Sequence, residues 1–344
     1  MPTEADETRS ARRRRGATIN DVASRAGVAA STVSRALSNP QRVNHVTRQR
    51  IEQAAAELDY VPSAGARSLS SGRFQTLALL VPDISNPFFF DLIRGAQRQA
   101  RAAGYTQLLV DTEESADIES ATLSQMVGSA DGVILAAPRI SDATIAEAAE
   151  RQPLVVVNRD IDGVPGVIID TAAGAAQALT HLRSLGHTTI AYLAGPTHSW
   201  SSRMRWEALV AAAAGTDVEL INLGPNAPNA RAGAAAADTV LTTPATACIA
   251  FNDLLAIGML GRLAERGVRV PEELSVVGCD DIFGADFCSP PLTSIAAPIE
   301  EAGRAAVSLL LTGLGRRSRP RMRTVLPTYL RTRASSSTAP VATL

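Results

Sequence analysis

From Thr76 to about Arg331 the chain alternates short, nearly all-aliphatic runs with helix-length segments, and it does so twice. LALLVPD, YTQLLVD, GVILAAP and PLVVVN form the first set of runs; TTIAYLAG, VELINL, ATACIAF and LSVVGCD form the second. Strands without polar alternation are buried on both faces, so helices must cover both sides of the sheet they build. The pattern predicts two doubly wound α/β subdomains in series over 76–333. One lobe is expected from 76–160 plus 298–320, the other from 161–297 plus 321–333. Helices are expected over Pro87–Ala103, near 174–185, 202–214, 230–241 and 253–266, and from Ile299 to Gly313. TVLPTYL reads as a last strand, or strand pair, crossing between the lobes. In parallel sheets of this kind ligands bind at the carboxyl ends of the strands.

Ahead of this body lies a different pattern. In TINDVASRAGVAASTVSRAL, Thr18 and Asp21 have the spacing of a capping box for a helix over Ile19–Ala26. Ile19, Val22, Ala23 and Ala26 give it one apolar face. Gly27 supplies a tight turn, and a second helix follows from Ala30 to Ser38. Val33, Ala36 and Leu37 face inward there, leaving Ala30, Ser31, Ser34 and Arg35 outside. Small residues let a backbone approach a groove floor, and an arginine fork can reach guanine O6 and N7. A third helix is expected after Asn44 as N-cap, with Tyr60 closing the little core. Arg42, Thr47, Arg48 and Arg50 are placed to meet phosphates, contacts that carry affinity and not sequence. The predicted head spans 18–61.

Pro62 stops backward extension of that helix, and Ser63 can cap a short one over Ala64–Leu69. With Gly65 in its middle and so few residues, this segment is unstable alone and suited to folding on a partner. A hinge helix and linker are therefore expected over 62–75. Residues 1–17 read as a disordered basic arm and 334–344 as a disordered tail, with no heptads for a coiled coil.

All 33 basic residues are arginines. Without lysine there is no Walker phosphate lysine and no Schiff-base amine. Net charge is only -1, but arginines outnumber acids from Arg9 to Gly72 while the body is mildly acidic. That segregation puts an electrostatic footprint on one small part of the chain. Cys248, Cys279 and Cys288 match no finger spacing and read as reduced thiols. The four histidines form no ligand set, so no metal or cofactor is expected. No segment reads as a signal peptide or membrane span, and a cytoplasmic, nucleoid-associated protein is expected.

Polar residues cluster where the predicted strands end: Asp83, Asn158-Arg159-Asp160, Arg205, Asn252-Asp253 and Asp280-Asp281, with Phe88 and Phe89 just after Asp83. Carboxylates, amides and a guanidinium beside aromatic faces suit a neutral polyhydroxylated ligand. Each alone could equally cap the helix that follows. Neither a GxGxxG nor a phosphate loop is present. No Ser-His-Asp order or metal motif supports catalysis, so an enzyme is not expected.

TINDVASRAGVAASTVSRAL, the TR of helix three, Tyr60-Val61-Pro62 and ARSL resemble the lac repressor/purine repressor family of bacterial transcription regulators, over essentially Thr18 to Arg331. The resemblance implies a helix-turn-helix head and hinge helix followed by two subdomains of periplasmic-binding-protein type. It implies a homodimer on a pseudo-palindromic double-stranded DNA operator, most often as a repressor, controlled by a sugar-like small-molecule effector. The DNA-contact set it implies is Thr18, Ala30, Ser31, Thr32, Ser34, Arg35, Asn44, Thr47, Arg48, Arg67 and Leu69. Leu69 falls where the family's hinge leucine pries a base step apart in the minor groove. The effector set it implies is Asp83, Phe88, Phe89, Asn158, Arg205, Asn252 and Asp280. In sugar-responsive members the position of Asn158 is often Asp, and Ala297 stands where many have Gln. Both departures favour a larger, less polar or modified sugar. Trp200 and Trp206 could wall the site, although Trp206 could as well be packing. A cytoplasmic solute-binding protein working without DNA, or a regulator that has lost its effector response, are the rival readings.

Overall fold

A computed structural model describes residues 17–38, 40–60, 73–314 and 322–341. The chain divides into two units, 1–75 and 76–344. The predicted basic arm up to residue 16 and the hinge segment, with Arg67 and Leu69, lie outside the described residues.

The head is built from α1 (Ile19–Ala26), α2 (Ala30–Ser38) and α3 (His45–Glu57). The capping box forms as expected: the Thr18 hydroxyl accepts from the Asp21 N–H, and the Asp21 carboxylate accepts from the Thr18 N–H at 2.8 Å. Gly27 ends α1 in the left-handed region at φ 63, a conformation that costs a residue with a Cβ roughly 1–2 kcal/mol. Its N–H satisfies carbonyls of the last turn. Val22, Ala23, Ala26, Val33, Ala36, Ile51 and Ala54 make the core, with Val28, Leu37, Leu58 and Tyr60 packed on it.

The body holds two six-stranded sheets. The first uses β1 (Thr76–Val81), β2 (Thr106–Asp111), β3 (Gly132–Ala136), β4 (Leu154–Val157), β5 (Gly166–Ile169) and β11 (Arg323–Leu326), in the order β11-β5-β4-β3-β1-β2. The second uses β6 (Thr189–Leu193), β7 (Glu219–Leu223), β8 (Ala247–Ala250), β9 (Ser275–Cys279), β10 (Thr293–Ala296) and β12 (Tyr329–Arg331), in the order β12-β10-β9-β8-β6-β7. Every pairing is parallel except β10 with β12. Helices α4 (Phe88–Ala102), α5 (Ala116–Met126), α6 (Asp142–Arg151) and α11 (Ile299–Gly313) cover the first sheet. The second is covered by α7 (Thr171–Ser184), α8 (Trp200–Ala213), α9 (Ala230–Val240) and α10 (Asp253–Glu265). Each sheet carries one apolar cluster on each face, as fully aliphatic strands require. In the first lobe α4 and α11 touch backbone to backbone. A Cβ on Gly95 would lie 2.0 Å from the Glu300 carbonyl oxygen, and one on Gly303 2.2 Å from that of Leu92.

Two departures from the expected layout matter, and one expectation holds. β5 and β11 belong to the first lobe, not the second, so the boundaries at 160 and 321 both move. β5 follows β4 without a helix between them, and the strand-helix alternation therefore gave no reason to expect it. β10 was likewise not anticipated. The connection TVLPTYL, by contrast, crosses as expected, as a strand pair with β11 in one sheet and β12 in the other. The other departure is the tail, which packs on the second lobe through Ser335 and Ala339, whose N–H donates to the Leu185 carbonyl at 2.8 Å. Ser335 is fully buried, accepting the Thr293 N–H at 2.8 Å and donating to the Val276 carbonyl at 2.6 Å. Its hydroxyl stands in for strand hydrogen bonds between β9 and β10, something a small polar composition does not reveal.

The chain passes between lobes at Asp170, at Ala297-Pro298 and at Pro327-Thr328. All three crossings involve β5, β11, β10 or β12, which lie together at one side of the two sheets. Two of them are tied together: the Thr328 hydroxyl donates to the Asp170 carbonyl at 2.7 Å, and Gln177 brackets Thr328 and Leu330. The opposite side, at β1-β2 and β6-β7, has no covalent link between lobes. Among the described residues no helix is long and apolar enough to cross a membrane.

Candidate functional site

In the head, α2 presents an outer face. Ser31 and Arg35 are exposed, Thr32 and Ser34 are half-buried, and Arg35 has no hydrogen bond or ion pair among the described residues. Ala30 is less free than its spacing implies, because it packs partly against the core. Thr18 is exposed, but its hydroxyl proton goes to Asp21 Oδ2 at 2.7 Å. Asn44 caps α3 by accepting from the Val46 N–H at 2.9 Å. Thr47 and Arg48 follow in the first turn, with Arg48 3.5 Å from Glu52. Arg50, expected at a phosphate, instead donates to the Ala26 carbonyl and closes the end of α1.

In the body, the carboxyl ends of strands from both lobes converge on a cleft. Among the described residues eight non-glycine residues have positive φ, and six of them sit at those ends: Glu113, Glu114, Ala137, Asn158, Asp280 and Asp281. Backbone held in this region persists only where surrounding structure enforces it, and such residues gather at functional sites. The innermost part of the cleft is a cavity of about 30 Å³. It is lined by six of the predicted residues, Phe88, Phe89, Asn158, Arg205, Asn252 and Asp280.

Arg205 is 5% exposed and rests on three partners. Its Nε donates to the Thr171 hydroxyl, one terminal nitrogen donates to the Phe251 carbonyl, and the other lies 3.5 Å from Asp280 Oδ1. The guanidinium also stands 4.9 Å over the Phe251 ring. Burial pushes the Asp280 carboxyl up to about 6, against the pull of Arg205. Asp253 behind it is pushed well up by burial and by Asp280, and is held by the Ser294 hydroxyl and the Ile282 N–H.

Asn158 is the informative case. It is 7% exposed and left-handed at φ 59, and its Oδ1 has no hydrogen-bond partner among the described residues. A buried amide oxygen without a donor costs about 1–3 kcal/mol. The residue borders the cavity, so the buried oxygen lies beside the space between the lobes. Asn252 is the contrast, because both ends of its amide are taken. Oδ1 caps α10 through the Leu255 N–H, and Nδ2 donates to the Pro228 carbonyl. Phe88 and Phe89 form an edge-to-face pair with centroids 5.0 Å apart and belong as much to the core as to the cleft.

Asp83 does not reach the inner cavity. Its carboxylate is turned onto Ser85, and it borders a wider space at the unlinked side of the lobes. Trp206 is packing, stacked on Tyr192 at 6.0 Å, and Trp200 does not line the cavity. Arg159 faces away, donating to the carbonyls of Pro138 and Ile140.

Several cleft residues escaped the sequence reading. Glu114 and Arg139 line both the inner cavity and the wider space, joined by a bidentate ion pair of 2.6 and 3.0 Å. Glu119 is buried beneath them, accepts the Arg139 N–H at 2.7 Å, and has its carboxyl pushed up by that burial. Asn86, Ser199, Ser201 and Phe251 complete the wall. Glu114 and Arg139 each stand three residues past a strand end, after β2 and β3. Applied to every strand instead of some, the strand-end rule would have found them.

Known proteins are similar to this chain in sequence and fold. A family model for bacterial regulatory proteins of the lacI family matches residues 18–63, and one for a periplasmic binding protein-like domain matches 179–336. The HTH-type transcriptional repressor CytR of Escherichia coli (strain K12) is 36% identical over 303 residues, covering 86% of this chain and 89% of its own. The crystal structure of the lac repressor dimer bound to operator and the anti-inducer ONPF is 25% identical. It covers 94% of this chain and all of its own, with a TM-score of 0.81. A lacI-family regulator from Enterococcus faecium with bound ribose is 29% identical, covering 76% of this chain and 99% of its own, with a TM-score of 0.68.

Proposed function

The chain belongs to the lacI family of bacterial regulatory proteins, and from that premise we propose how its two units divide the work. It is a DNA-binding transcriptional regulator controlled by a small molecule. In our reading two copies act together, each head laying α2 in a major groove. Ser31 and Arg35 read base edges, Ala30 and Thr32 allow close approach, and Ser34, Thr47 and Arg48 hold the backbone. Thr18 and Asn44 serve by fixing the helix ends that these contacts depend on. The segment carrying Arg67 and Leu69 enters the minor groove at the operator centre.

The effector lies between the lobes. Asn158 accepts a ligand donor, and Arg205 with Asp280 offers a charged edge to hydroxyls. Phe88 and Phe89 supply an apolar face, while Asn252 holds the Pro228 loop against α10. A sugar-like molecule fits this donor and acceptor set. Because the cavity holds about 30 Å³, little more than a water or two, ligand entry requires the lobes to part about their three crossings. That rotation moves the first lobes of the two copies and changes the spacing of the hinges. Coupling of about 1–3 kcal/mol is ordinary for such a switch.

The observation that supports this reading is the buried, unpartnered amide oxygen of Asn158, a residue bordering the cleft between two lobes of a chain that also carries an exposed Arg35. The test is selection of random duplex DNA by the full chain, followed by release with metabolite fractions. A pseudo-palindromic consensus released by one fraction is expected, and Asn158→Ala should keep the consensus but lose the release. Binding without any consensus, or unchanged release from the variant, would overturn it.

A further inference from the structure

Beside the inner cavity lies a second space of about 410 Å³, bordered by Asp83, Glu114, Arg139, His198, Pro228 and Asn229. Glu114, Arg139 and Pro228 border both spaces, so the two are neighbours across one wall. This outer space sits on the β1-β2 and β6-β7 side, opposite the three crossings, where a rotation about those crossings opens the cleft most. Small-molecule sites usually span about 300–1,000 Å³. The inner cavity falls about tenfold short of that range, and the outer space lies within it.

Charge narrows what this mouth can take. Arg139 is the cation of the wall, with its side chain 9% exposed. Its Nε and one terminal nitrogen are spent on Glu114, and the other terminal nitrogen donates to the Ala137 carbonyl. Glu114 is held at a left-handed φ of 56 to make that pair. Asp83 adds a second carboxylate on the same border, so acid exceeds the paired base. An anion entering here meets two carboxylates and a guanidinium already neutralised. Ala116, Pro196 and Ala227 give the mouth an apolar share as well.

We propose that the mouth is a second subsite, floored by the Glu114–Arg139 pair, which takes the uncharged second ring of a two-ring glycoside and rejects phosphorylated ligands. The first ring occupies the inner subsite, where Asn158 accepts from one of its hydroxyls. This deepens the effector reading above and rests on it. Glu114 is then a specificity determinant, since it cancels the one cation that would otherwise draw a phosphate.

The test uses the full chain and three comparisons of thermal stability. Inorganic phosphate, at constant ionic strength, should stabilise Glu114→Gln more than the native chain, because the freed fork of Arg139 becomes an anion site. Among equal sets of neutral monosaccharides and two-ring glycosides, the tightest binder should be a two-ring compound, and its phosphate ester should bind at least about tenfold more weakly. Ala116→Trp, which fills the mouth from an exposed position, should weaken that compound by a similar factor and spare monosaccharides. Equal phosphate response in variant and native, a monosaccharide that outbinds every two-ring compound, or an indifferent Ala116→Trp would each overturn the proposal. If Glu114→Gln does not fold, the other two comparisons decide. No binding by any compound, in a chain that still selects a DNA consensus, overturns the two-ring assignment and leaves the regulator reading intact. Loss of DNA selection overturns the regulator reading instead.

Discussion

Replacing Asp280 by Asn should make the body more stable at neutral pH while abolishing its response to effector. The carboxyl sits 3.5 Å from Arg205 with its side chain 11% exposed, and burial still lifts it from the ordinary 3.8 to about 6. A carboxyl with a raised folded pKa binds more protons in the folded state, so its contribution to stability falls as pH rises from about 4 to about 6. A rise of roughly two units corresponds to about 3 kcal/mol between the fully protonated and fully ionised limits. Asn keeps the shape of the protonated acid and has no such loss. The variant should therefore exceed the native chain by about 1 kcal/mol near pH 4.5 and by about 3 kcal/mol at pH 7, an upper figure. Urea unfolding of both proteins at several pH values, followed by tryptophan fluorescence, reads the difference directly, because other acid effects cancel. A variant less stable than native at pH 7, or a difference that does not grow with pH, would refute the reasoning. It would mean that Arg205 repays the cost of burying that charge.

Other perturbations act at separate points. Arg35→Ala should weaken binding to the selected operator by about 1–3 kcal/mol and relax preference at one base pair, measured by titrating single-base variants of the site. Unchanged discrimination would remove Arg35 from base reading. Gly303→Ala should lower the unfolding free energy of the body by roughly 1–3 kcal/mol, since its Cβ falls 2.2 Å from the Leu92 carbonyl oxygen and forces α4 and α11 apart. An unaltered denaturation midpoint would argue against that close approach. Burial holds the pKa of His187 below its ordinary 6.5, with Nε2 3.0 Å from the Ser337 carbonyl and Nδ1 2.9 Å from the Thr246 hydroxyl. The neutral ring is the folded form, so its stabilisation is complete above about pH 6.5 and is lost as pH falls below that value. His187→Gln should flatten part of that loss in melts taken from pH 8 downward, and an identical pH profile would exclude His187 as its source.

How far the chain could be read in advance differed between its parts. The helices of the head matched their expected limits because local signals marked both ends: a capping box at Thr18 and Asp21, a left-handed Gly27, and Asn44 before α3. Strand-helix alternation located most strands of the body for the same reason, since a run of aliphatic residues names its own burial. β5 escaped because no helix precedes it, and the tail escaped because Ser335 looks like any solvated serine until β9 and β10 surround it. In the cleft, the polar residues at strand ends were legible as a set, but not their individual duties. Arg50 as a helix closure, Asn252 as a cap and Asp83 turned onto Ser85 share their residue types with true ligand contacts.

The two-unit plan, the three-helix head with its Ser31 and Arg35 face, and a doubly wound body with polar strand ends are all written in local patterns along the chain. Those follow from periodicity, capping and charge, which act over a few residues. Long-range packing settles which lobe receives β5 and β11, that the three crossings share one side, that the Asn158 oxygen has no partner among the described residues, and that Glu114 pairs with Arg139 at the mouth. Each of these depends on groups far apart in the chain meeting in one low-dielectric space. There, hydrogen-bond partners and charges are assigned by position in the fold and not by neighbours in sequence.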